Sequence, residues 1–151
     1  MRVDPANVQG FVMRPYSYPF SRHLLCRIVN SAGARAWLAA TIPSVTNAGQ
    51  SLEGRPDPLF NISMSWSGLD ALDVTAGGEP IAAARSQFDP DFITPSIPTA
   101  LGDWDKRFDN RDLHMILHIH CRSQPALETA TQNIRAAVAG IMTELSVNAA
   151  A

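Results

Sequence analysis

A chain of 151 residues with 46% hydrophobic content is the size of one ordinary domain and is long enough to bury a core. Its 12 Lys and Arg against 14 Asp and Glu leave a formal charge of −2, with the basic residues scattered, so it has no electrostatic footprint for nucleic acid or an anionic membrane. The opening MRVDPANVQG lacks the basic end and apolar run of a secretory leader, and no stretch approaches a membrane span; a cytoplasmic protein with neither nucleic-acid nor membrane partners is expected.

In chain order, RHLLCRIV at 22–29 alternates Arg22, Leu24, Cys26 and Ile28 against His23, Leu25, Arg27 and Val29, which predicts a first strand. Asn30 and Ser31 offer a helix cap, and Ala34, Trp37, Leu38 and Ile42 fall at helical spacing before Pro43. After a Gly- and Pro-containing loop over 46–58, LFNISMSWS predicts a second strand, with Phe60, Ile62, Met64 and Trp66 inward and Asn61, Ser63 and Ser65 outward. A short helix is expected over Gly68–Leu72, inside an insertion at about 67–110 that Pro90, Pro95 and Pro98 make irregular.

The run LHMILHIHC at 113–121 holds three of the four histidines of the chain. Read as a third strand, it turns His114, Ile116, His118 and His120 to one face and Leu113, Met115, Leu117, Ile119 and Cys121 to the other. Ser123 and Pro125 then signal a helix start, and Leu127, Ala130, Ile134, Ala137/Val138, Ile141 and Leu145 form one apolar stripe through ALETATQNIRAAVAGIMTEL. The terminal LSVNAAA is long enough only for a short last strand. Cys26 and Cys121 each sit in an apolar strand-like run, at a spacing that suits neither a disulfide framework nor a zinc site, and read as buried thiols.

Strand, helix, strand, strand, helix, strand is the ferredoxin-like order, an α+β open-faced sandwich in one domain over 1–151. Two helices cover only one face of such a sheet. If the apolar strand faces meet the helices, then His23, Arg27, Asn61, Ser63, Ser65, His114, His118 and His120 share the open face. Pairing of two such faces would complete a dimeric α/β barrel with a histidine-lined cavity. His118, His120 and Arg27 are the candidates for chemistry there, because imidazole titrates near working pH; His23, Asn61, Ser63, Ser65 and His114 are the candidates for ligand binding. No dedicated metal site is expected, since His114 lies roughly 13 Å from His118 along an extended strand and no HExxH, Cys pair or facing carboxylate accompanies the histidines.

The segments VQGFVMRPYSYPFSRHLLCRI, ARAWLAATIPSVTNA, LFNISMSWSGLDALDV, LGDW and DLHMILHIHC occur in that order. In this the chain resembles the N-terminal half of dye-decolourising peroxidases, whose opening is QG-(V/I)-(L/V)-RGY, followed by an ARxWL helix, a VTxA turn and a LNxxxTxxGLxALG segment. Pro15 stands where that family usually has glycine. The resemblance implies two ferredoxin-like domains facing each other across a haem. The family's GxxDG motif, distal arginine and proximal histidine have no counterpart here; GLDAL at 68 and GDWDK at 102 do not match, so no catalytic residue is carried over. Three expectations follow: a homodimer whose cavity takes a small molecule or haem, a non-catalytic subunit paired with a separate haem-domain chain, or a binding or scaffold module whose open face simply carries polar residues. The cofactor stays open.

Overall fold

The structure, a computed structural model, describes residues 4–13, 15–50, 56–73 and 112–145. The expected insertion lies mostly outside them, as does the chain end from 146. Four antiparallel strands form one sheet in the order β2-β3-β1-β4: β1 Phe20–Ile28, β2 Leu59–Met64, β3 Met115–Cys121 and β4 Met142–Glu144. This is the ferredoxin-like arrangement, and it puts the histidine strand β3 between β1 and β2.

Strand alternation sets the core. Met115, Leu117, Ile119 and Cys121 of β3 are fully buried, and with Leu24, Cys26, Ile28 and Phe60 they form the apolar face of the sheet. Two helices, the second and the fourth in chain order, cover that face. α1 is the four-residue Gly10–Met13; α2, Ser31–Thr41, begins where the Asn30 side chain accepts from the Gly33 N–H, and it seats Ala34, Trp37 and Leu38 on the core. α3, Trp66–Ala71, starts at Ser65. α4, Gln124–Ala137, is capped by Ser123 and presents Leu127, Ala130 and Ile134. Cys26 and Cys121 are free, and burial pushes both thiols up to about 11. No helix among the described residues is long and apolar enough to cross a membrane.

Three expectations need correction. Trp66 opens α3 instead of continuing β2, because Ser65 caps the helix there. The last long helix ends at Ala137: Val138 to Ile141 turn back, Gly140 takes the positive φ of 71° that suits glycine, and Met142–Glu144 form β4. The histidine face is also not fully open, because the N-terminal segment lies across its β2 side.

Candidate functional site

The covering segment is tied down by side chains that imitate a strand. Gln9 Nε2 donates to the Ile62 carbonyl at 2.7 Å and Gln9 Oε1 accepts from the Ile62 N–H at 2.9 Å, so one amide satisfies both outward groups of an edge residue. Thr46 does the same for Phe60 with its own N–H and Oγ1. Asn61, 0% exposed, is locked beneath: its Oδ1 accepts from Tyr16 Oη at 2.8 Å, and its Nδ2 donates to Thr46 O at 2.9 Å and Gln9 Oε1 at 3.2 Å. Asn61 therefore holds the segment, with its amide engaged by Tyr16, Thr46 and Gln9.

This anchoring lays two aromatic rings against the histidines. Phe11 sits with its centroid 5.3 Å from that of His118, and Tyr16 meets His120 edge-on at 5.2 Å. His23 stands opposite His118 across the β1–β3 ladder. Their Nδ1 atoms are 2.9 Å apart, and the His23 ring lies 5.0 Å from His118 and 5.7 Å from His120, centroid to centroid. Ser63 Oγ, from β2, is 2.9 Å from His118 Nε2. His23, His118, His120 and Ser63 thus form one contiguous polar cluster.

The remaining candidates are elsewhere. Ser65 Oγ accepts from the Gly68 N–H and donates to Leu113 O, so it caps α3. His114 Nδ1 accepts from the Ile28 N–H at 3.1 Å, which makes its imidazole an extension of the backbone ladder. Arg27 lies beyond the Leu25–Ile116 pair and forms an exposed ion pair with Asp112 at 3.4 Å, apart from the imidazoles. Strand parity predicts a shared face for these residues, but it carries no information on which of them the chain uses for its own backbone.

Burial, reinforced by His23 and then His120, lowers the pKa of His118 from 6.5 to about 4. Burial and then His23 lower that of His120 as well. At neutral pH these two rings are uncharged, each able to donate one hydrogen bond and accept another. Among the described residues no group of three or more His, Cys, Asp or Glu is placed to hold a metal ion. The described residues do not fit a haem either. His118 has both nitrogens engaged, Phe11 and Tyr16 pack against the imidazoles, and the guanidinium groups of Arg27 and Arg122 engage Asp112 and Tyr18. On the opposite side of the sheet a groove of about 850 Å³ runs between α2 and α4, lined by residues that include Trp37, Pro43, Phe60 and Ile134; it holds none of the predicted site residues.

No protein-family model matches the chain, and no curated protein matches it by sequence. Solved structures do. A fungal dye-decolourising peroxidase from Auricularia auricula-judae superposes with a TM-score of 0.75 at 18% identity, over 97% of this chain and 33% of its own. A dye-decolourising peroxidase with an engineered haem pocket gives 0.81 at 19% identity, over 95% and 32%. A further variant in complex with cyanide gives 0.77 at 18%, over 97% and 34%. The chain spans about a third of the length of these peroxidases and has the fold of that portion, in keeping with the N-terminal resemblance of its motifs.

Proposed function

We propose that two copies of this chain pair across their histidine faces into an α/β barrel enclosing a small-molecule site floored by His23, His118 and His120. The observation that supports this reading is the three-imidazole cluster itself, together with what stands beside it. Val12 and Met13, on the short helix that carries Phe11 to His118, are 66% and 62% exposed. Burying such a side chain fully contributes about 1.5–3 kcal/mol, and a two-fold pairing would bury each residue twice. With His118 and His120 uncharged, these two rings offer hydrogen bonds and ring faces and no fixed charge. It suits a neutral aromatic ligand bearing hydroxyl or amine groups.

Native mass spectrometry of the purified full chain tests the site. The expected spectrum shows a bound organic molecule on the wild-type protein that is absent from the His118→Ala/His120→Ala variant. Equal retention by both proteins would place the ligand elsewhere, and a bare wild-type chain would remove the reading.

A second reading has one observation in its favour. The histidine face does not fit a haem among the described residues, yet the fold is that of haem peroxidases in the comparison. A separate chain that brings its own haem would reconcile the two. Co-purification with such a chain, and peroxidase activity only in the mixture, would select it over the homodimer.

A further inference from the structure

Ser63 stands on the histidine face of the edge strand β2, half-buried, with Oγ at 2.9 Å from His118 Nε2. On the far side of the same ring, His118 Nδ1 is 2.9 Å from His23 Nδ1. A hydroxyl within hydrogen-bond reach of an imidazole, itself oriented by a third group through its other nitrogen, is the geometry of an activated serine nucleophile. We propose that Ser63, His118 and His23 form such a relay, in which Ser63 is acylated by a small activated ester. This goes beyond ligand binding and does not depend on a second copy of the chain.

The tautomers required are mutually consistent. His118 Nε2 accepts from the Ser63 hydroxyl, His118 Nδ1–H donates to His23 Nδ1, and His23 carries its own proton on Nε2. In the reaction the Ser63 oxygen bonds to the ester carbonyl carbon while its proton passes to His118 Nε2. The carbon–oxygen bond to the alcohol then breaks, and the alcohol leaves with that proton. Water, giving a proton to the same nitrogen, attacks the acyl carbon; the carboxylic acid departs and the Ser63 hydroxyl is restored.

The oxyanion has a donor at hand. Phe60 and Ile62 turn their N–H groups outward from the sheet edge, to Thr46 Oγ1 and Gln9 Oε1. By alternation the Met64 N–H turns outward too, one peptide beyond the nucleophile. The substrate class follows from the base. An imidazole with a pKa of about 4 is a weak proton acceptor that activates the hydroxyl only modestly, so the reaction needs esters that are already reactive, such as aryl esters.

The test is incubation of the full chain with p-nitrophenyl acetate, followed through nitrophenol release and peptide mass spectrometry. One acetyl group is expected on the peptide holding Ser63. The release rate should be level in the neutral range and fall only as the pH approaches the His118 midpoint near 4. Ser63→Ala and His118→Gln should each slow release by roughly 10²-fold or more. Ser63→Ala removes a single oxygen, so it decides the matter if His118→Gln fails to fold. His23 is a positioning residue, and His23→Gln should move the pH midpoint upward, because His23 beside the ring opposes protonation of His118. Acetylation confined to other residues, release unchanged in Ser63→Ala, or a rate that climbs steadily with pH would each overturn the proposal.

Discussion

Asn61 shows how one side chain can serve the fold where its strand position suggested a site. Its amide is fully buried and bonded to Tyr16, Gln9 and Thr46, three groups from two segments that cover the edge of β2. Asn61→Ala removes three buried hydrogen bonds at once, to Tyr16, Thr46 and Gln9, and it should cost about 2–4 kcal/mol, measured as a lower urea midpoint at unchanged slope. His118 is the opposite case, a polar side chain whose environment sets its charge. Its pKa is about 4 in the folded chain against 6.5 without that environment, so between these values the unfolded state binds more protons. Its contribution to stability is complete above pH 6.5 and is lost as the pH falls toward 4, with His120 acting in the same direction. About 1 kcal/mol is expected, well short of what the full shift would imply, because the ring is half exposed and water screens it. Urea unfolding at pH 7 and pH 4.5, compared with His118→Gln, isolates this part. The alternation of LHMILHIHC is enough to place His118 with His120 and against the core residues Leu117 and Ile119. The engagement of Asn61, Ser65 and His114 with backbone is not readable from it, since those partners lie up to 86 positions away.

Among the elements, β2 depends on pieces that are not strands. It is an edge, and its outward groups at Phe60 and Ile62 are taken by Thr46 and Gln9. Gln9→Ala should free the Ile62 amide, raising its hydrogen-exchange rate at least tenfold (about 1.4 kcal/mol) while amides of β1 and β3 keep theirs. α3 shows a second dependence. It packs so closely against the entry to β3 that a Cβ at Gly68 would collide with the His114 carbonyl oxygen and crowd Met64 Cγ. Gly68→Ala should therefore destabilise the chain by about 2–3 kcal/mol despite the higher helix propensity of alanine, read from the urea midpoint. The caps at Asn30 and Ser123 were legible because the residue types and the apolar stripes that follow agree. The end of α4 was not: the stripe runs on through Val138 and Ile141, and both are indeed buried or packed on the core, but from a turn that leads into β4. Apolar spacing reports burial before it reports backbone conformation.

At the scale of the molecule, the sheet has two unlike faces. One is sealed by α2 and α4. The other carries the imidazole cluster, the covering segment from Gln9 to Tyr16, and two exposed apolar side chains at Val12 and Met13. Strand order and parity made this division legible in the sequence, and the likeness to a third of the dye-decolourising peroxidase chain supports the fold. The second surface that would close over the histidines is the central claim. Sedimentation velocity of the full chain, beside a Val12→Asp/Met13→Asp variant, tests it most directly. The account predicts a wild-type dimer and a folded monomeric variant. A wild-type chain that stays monomeric at every concentration, or a dimer that both substitutions leave intact, would contradict it.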